Sequence, residues 1–158
     1  MKKLLPIIFI LLFILIIVAI FLNLAKEQEM VTMKEGNLKQ IPLEVVLGKY
    51  QDSDCGMIID DLKFASQIAY KDGKTWFFHE HGGMANWLIH KDKAFIDNSK
   101  IWVMTLDTKR YVEAQKAFFT TNEETPMNYG FGAYENPKDG SISFEEMLLR
   151  VSNKHKQH

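Results

Sequence analysis

The chain has 158 residues, with 19 Lys and Arg against 20 Asp and Glu and a single Cys. That length holds one ordinary domain, or one domain with an appendage. The net charge of −1 offers no basic stripe for nucleic acid. One cysteine excludes an internal disulfide, a CxxC redox pair, a four-cysteine zinc site and c-type haem attachment.

Residues 4–24 carry no charge. At about 1.5 Å of rise per residue, a helix of that length spans the hydrocarbon core of a bilayer. Pro6 falls in the first turn, where its missing N–H costs little. Lys2 and Lys3 precede the span, and Lys26, Glu27 and Glu29 follow it. A short positive N-terminus stays on the cytoplasmic side, so the rest of the chain is expected on the other side. The alternative is a cleaved signal peptide. Its apolar region is shorter and ends in small residues, whereas Asn23-Leu24-Ala25 makes a poor cleavage site, so residues 1–25 are read as an uncleaved transmembrane anchor. Removing Lys2 and Lys3 from the basic count leaves 17 against 20 acidic groups over residues 26–158, an ordinary soluble surface.

Residues 26–43 are mostly polar, with Gly36 and Pro42, and read as a juxtamembrane linker. The folded domain is expected over 44–158, with a short fraying tail from about Asn153. Within it, Met57-Ile58-Ile59 begins a short strand. Residues 64–70 and 75–79 form a hairpin about the turn Lys71-Asp72-Gly73-Lys74. Gly82-Gly83 breaks the second strand, and Met84, Ala85, Trp87 and Leu88 follow at helical spacing. Residues 100–106 form the next strand. Asp107 is placed to cap a helix over 108–119, with Tyr111, Ala114 and Phe118 on one face. Residues 129–134 make a glycine-interrupted strand, and 136–140 a turn. Ser143 and Glu146 form a capping box, with Ile142 stapled onto Met147, for a final helix through Val151. Strands interleaved with short helices give an α+β fold, and the element order fits two β-β-α-β-like units in one small domain.

Cys55-Gly56-Met57 is the most informative tripeptide. In an extended segment, side chains at i and i+2 emerge on one face, and Gly56 lets the backbone bend so the sulfurs converge. A thiolate with a thioether is a soft donor pair that favours Cu(I). Asp52, Asp54, Asp60 and Asp61 flank it. Their charge raises a thiol pKa and discourages a nucleophilic thiolate, while favouring an arriving cation. The competing reading is a small buried Cys55 with Met57 as core filler.

The tripeptide before an apolar strand, Asp72-Gly73 in the hairpin turn, Trp76-Phe77-Phe78 and the run Pro126-Met127-Asn128-Tyr129-Gly130-Phe131-Gly132-Ala133 recur together in one family. Over roughly residues 50–150 the chain resembles the NosL-type accessory lipoproteins of nitrous oxide reductase, which are periplasmic Cu(I)-binding proteins. The resemblance implies a pair of β-β-α-β units like those of organomercurial lyase. It also implies a role in delivering Cu(I) to the assembly machinery of the reductase's copper centres, or of a related copper enzyme. With the anchor, it places the protein as a single-pass inner-membrane protein whose C-terminal domain is periplasmic. Its expected partners are the membrane and copper-enzyme assembly proteins. Three departures mark a divergent member. The membrane helix replaces the lipidated cysteine, Asn128 stands where the family usually has glycine, and the run from His79 to Met84 is richer in possible ligands.

Met127 is the first candidate for a third Cu(I) ligand, because it matches the family's Pro-Met motif; the competing reading is a core methionine. His79 and His81 also stand at i and i+2 and would share a strand face, and imidazole suits copper. A solvated strand end is the plainer reading of that pair. The expected metal site is therefore Cys55, Met57, Met127, His79 and His81, with ligand exchange rather than catalysis as its chemistry. Two rivals remain: a thiol-dependent enzyme using Cys55, and a non-metal, membrane-anchored interaction domain with Cys55 in its core. Lyase chemistry employs more than one cysteine, which this chain lacks.

Overall fold

The computed structural model describes residues 5–26 and 30–155, which form two separate units divided after Met30. The first is a single helix, α1 (Leu5–Lys26), apolar all round and long enough to cross a membrane. Lys2, Lys3, Glu27 and Glu29, on which the expected orientation rests, lie outside the described residues.

The second unit begins at Val31 and is a mixed α+β domain. Its main sheet is antiparallel, in the order β1 (Met33–Lys34), β3 (Thr75–Phe78), β2 (Ser66–Tyr70), β4 (Ser99–Met104) and β5 (Tyr111–Glu113). A second sheet pairs β6 (Phe118–Thr120) with β7 (Gly132–Tyr134). The helices are α2 (His81–Leu88), α3 (Lys93–Asp97) and α4 (Phe144–His155). The expected hairpin is present, with Ser66 opposite Phe78 and Ala69 opposite Thr75. Its turn places Gly73 at φ 93°, where glycine carries no steric cost. The first half runs β2-β3-α2-β4, with α3 before β4, and the second runs β5-β6-β7-α4.

Both faces of the main sheet are covered, which explains why β2 is buried at four successive positions. On one face Ile68, Phe78, Ile101 and Val103 meet Met84 and Leu88 of α2 and Met147 and Val151 of α4. On the other, Phe77 packs with Val45, Tyr50 and Ile59. Tyr50 meets Phe77 edge-on, with ring centroids 4.7 Å apart.

That second face corrects the expected linker. From Val31 onward the polar segment belongs to the folded unit. Asn37 is buried and donates to Ile41 O at 2.7 Å and Thr75 Oγ1 at 3.0 Å. The Gln67 side chain bonds both backbone groups of Leu43, at 2.8 and 2.7 Å. Val31 and Leu43 add to the small core. The buried amides of Asn37 and Gln67 thus satisfy polar groups of this segment as it packs on the sheet.

The helix expected over 108–119 does not form. Lys109 turns the chain at φ 54°, and β5 runs back along β4, pairing Val112 with Val103 and Tyr111 with Met104. A single 3₁₀ turn, Ala114–Lys116, leads into β6. The aromatic and β-branched residues favour strands: Tyr111 and Val112 extend along the edge of β4, and Phe118 and Phe119 pair with β7. Asp107 caps no helix; it accepts from the N–H groups of Thr108, Glu135 and Asn136 at 3.0, 3.1 and 3.1 Å. The final helix starts as expected, with Glu146 N–H donating to Ser143 Oγ at 3.2 Å. It continues to His155, and residues 156–158 lie outside the described residues.

Candidate metal site at the Cys55 loop

Cys55 sits at the tip of a tight loop rather than in an extended strand. Residues 50–52 and 57–59 form two short antiparallel arms: Asp52 N donates to Met57 O at 2.8 Å and Ile59 N to Tyr50 O at 2.8 Å. Between them, Gly56 adopts φ 74° and donates to Asp52 O at 3.0 Å. Glycine at the left-handed closing position of a short hairpin loop is a recurrent arrangement. Asp52 builds the loop from within. Its Oδ1 accepts from the N–H groups of Asp54 and Cys55, at 2.8 and 3.1 Å. Ser53 fixes the loop to β3, donating from N to Phe77 O at 2.8 Å and accepting from Phe77 N at Oγ at 3.0 Å.

This attachment sets Cys55 beside His79, the first residue beyond β3. Cys55 Sγ lies 3.8 Å from His79 Nδ1. Asp52 Oδ2 accepts from His79 N at 2.8 Å and stands 2.6 Å from His79 Nδ1. One ligand atom each from Asp52, Cys55 and His79 fall within 4.8 Å of one another. Cys55 is exposed, while His79 and Asp52 are buried at 8% and 1% accessibility. A soft sulfur faces solvent, with an imidazole and a carboxylate fixed behind it.

The electrostatics follow from the packing. Burial works against the charge on Asp52, but hydrogen bonds from His79, Asp54 and Cys55 outweigh it and hold the carboxyl below its usual range. Burial also disfavours charged His79, yet the Asp52 hydrogen bond and charge raise its pKa. The Cys55 thiol is raised, first by partial burial and then by the charges of Asp52 and Asp54. The acidic neighbours thus act in the direction expected from sequence, although desolvation is the larger cause. A thiol held protonated is a poor resting nucleophile. The three residue types are those of a cysteine-hydrolase triad, but the connectivity is not. A relay needs the thiol on one imidazole nitrogen and the carboxylate on the other; here both approach Nδ1.

The remaining expected ligands divide. Met57 is exposed at 43% on the outgoing arm of the loop. Met127 is half-buried in a turn closed by Asn128 N donating to Thr125 O at 3.0 Å. Its backbone N–H donates to Glu80 Oε2 at 2.6 Å. Asn128 in that turn has φ 57°, a conformation open to Asn as well as Gly, so Asn can stand there in place of glycine. His79 and His81 do not share a face, because β3 ends at Phe78 and His81 opens α2. His81 is fully buried between Phe64 and Phe119, with Nδ1 2.7 Å from Ser66 Oγ. Burial lowers its pKa to about 3. Nor do the glycines delay the helix: Gly82 lies within its first turn, where a Cβ would come 2.1 Å from Tyr129 Cβ.

Sequence reading missed the constructive part played by Asp52. An aspartate opening a four-residue turn before a glycine was the available signal. Beside His79 lies a cleft of about 530 Å³, bordered by Asp60, Asp61, Glu124 and a single Lys63. The site therefore opens on a mainly acidic face.

No family model matches this chain, and no curated protein matches it. The fold is similar to the crystal structure of the copper chaperone NosL from Shewanella denitrificans, with a TM-score of 0.52 at 15% sequence identity. The similarity covers 69% of this chain and 87% of that one. At this identity the likeness is one of fold.

Proposed function

We propose that this protein is a membrane-anchored, extracytoplasmic Cu(I) chaperone. The observation that carries the reading is the solvent-facing Cys55 thiol, 3.8 Å from a histidine that a buried aspartate holds in place, on a fold similar to a copper chaperone. Thiolate sulfur and imidazole nitrogen both suit copper, and a monovalent soft ion is matched by the exposed sulfur. Cys55 and His79 hold Cu(I); Met57 and Met127 are the soft donors available to complete a low-coordinate site. Asp52 supplies orientation and charge, as second ligand shells do. His81, enclosed by aromatic rings, is left out of the set.

The cargo ion replaces the Cys55 proton and competes with the proton between His79 and Asp52. Affinity therefore rises with pH, by about tenfold per unit for one displaced proton. Exposure of the sulfur leaves a direction from which a recipient's ligand enters before a donor leaves. The apolar helix holds the protein in the inner membrane, on the periplasmic side, raising its effective concentration beside membrane partners. Those partners are the assembly proteins of nitrous oxide reductase or of a related copper enzyme.

The decisive experiment is an anaerobic Cu(I) titration of the full-length protein in detergent, against a competing chelator, with Cys55→Ser alongside. One equivalent bound by the wild type and lost in the variant supports the reading. Binding indifferent to Cys55→Ser, or no binding, overturns it and returns the chain to the class of interaction domains.

A further inference from the structure

Glu80 is wholly buried, yet it bonds the half-buried Met127 turn of the candidate site. It follows His79 in the chain and precedes α2. Its Oε2 accepts the Met127 N–H at 2.6 Å, across 47 residues of sequence. Its other oxygen, Oε1, has no hydrogen-bond partner among the described residues. A buried carboxylate half matched in this way is a costly means of stabilising a fold, since an apolar side chain of similar volume usually serves as well or better.

What the carboxylate does is hold a loop. Residues 125–130 are shaped by their own bonds, with Asn128 N donating to Thr125 O at 3.0 Å and Gly130 N to Thr125 Oγ1 at 3.0 Å. Docking of that loop on the rest of the domain falls at the start of α2. Gly82 leaves room for the Tyr129 ring, and Glu80 takes the Met127 amide. The Tyr129 hydroxyl in turn lies within electrostatic reach of Asp54, Glu80, Asp52 and Cys55. One dipeptide, His79-Glu80, thus joins the thiol side of the site to the methionine side.

We propose that Glu80 is a positioning residue that latches the 125–130 loop over the Cys55–His79 site and so presents Met127 to the bound ion. The inference rests on the Cu(I) reading for its consequence, but the latch itself is testable without metal. Glu80→Ala removes the acceptor. Glu80→Gln keeps a carbonyl oxygen within reach of the Met127 N–H. Glu80→Asp keeps the charge and withdraws it by one methylene.

In the full-length apo protein, oxidation of Met127 by dilute peroxide, followed by mass spectrometry, is expected to rise several-fold in Glu80→Ala and Glu80→Asp and to return towards wild type in Glu80→Gln. Buried Met84 is the internal reference. Loaded with Cu(I), the Ala and Asp variants are expected to lose about 10- to 100-fold in affinity, as for other outer-shell partners of a metal site. They should also lose one sulfur neighbour by X-ray absorption, with both restored in Glu80→Gln. Unchanged Met127 oxidation in Glu80→Ala, or in Glu80→Asp should the Ala variant fail to fold, overturns the latch. Wild-type sulfur count and affinity in those variants overturn its role toward the ion. If Cys55→Ser leaves Cu(I) binding intact, the chaperone reading falls while the peroxide result still decides the latch.

Discussion

His79 and His81 are two residues apart and chemically identical, yet the fold sends them to opposite environments. His79 stands at the foot of the Cys55 loop, its Nδ1 2.6 Å from a buried carboxylate, and its pKa is raised. His81 enters the core, 2.7 Å from a serine hydroxyl and walled by aromatic rings, and its pKa falls to about 3. The first is arranged to hold a proton against Asp52. The second is kept neutral and serves packing. The difference lies in the backbone: a strand that continued through His81 would have placed both on one face, and the start of α2 turns the second inward.

Acid should break the comparison most visibly. A neutral histidine whose pKa drops from 6.5 to about 3 leaves the folded state binding fewer protons than the unfolded one below pH 6.5. Stability is therefore lost as pH falls through that window, by on the order of 4 kcal/mol near its lower end. His79 has the opposite sign. Its raised pKa contributes stability that is complete below 6.5 and lost as pH rises through the folded value. Asp52, held low, contributes above 3.8 and loses its share as pH falls. Urea unfolding across pH, on wild type and His81→Gln, should show the acid limb flatten in the variant. An unchanged limb would mean that His81 does not govern it. Histidine NMR sharpens the same point: His79 should titrate above its ordinary 6.5, whereas His81 should stay neutral until far lower pH.

Asp52→Ala should follow in size, at about 3–5 kcal/mol, because it strands a buried imidazole and frees the N–H groups of His79, Asp54 and Cys55. Chemical denaturation checks this, and Cys55 labelling should also accelerate as the thiol loses a negative neighbour. Gly82→Ala comes next, at about 1–3 kcal/mol, since its methyl group overlaps Tyr129. It should increase protease sensitivity at residues 125–130 while leaving the Cys55 loop intact. Cys55→Ser is the smallest, within about 0.5 kcal/mol for an exposed side chain. A thermal shift much larger than that would place the sulfur in the core.

The apolar helix at the N-terminus, the β2–β3 hairpin about Asp72-Gly73, the final capped helix and the α+β class were legible in the sequence alone. Each rests on local chemistry: an uncharged run, a turn residue at a positive φ, a hydroxyl three residues before a carboxylate. Tertiary contacts decided the rest. Residues 108–119 carry a helical spacing, but 111–113 paired with the edge of β4 and 118–120 with β7. The polar segment from Val31 joined the domain because the second face of a two-sided sheet needed covering, a demand that originates in other parts of the chain. The site divides in the same way. The pairing of a soft thiol with nearby acidic groups was legible around Cys55, because those residues are neighbours in sequence. The meeting of Cys55 with His79, the exclusion of His81 and the hold of Glu80 on Met127 were not. They depend on where β3 stops and α2 begins, and on which side chains a packed interior leaves room for.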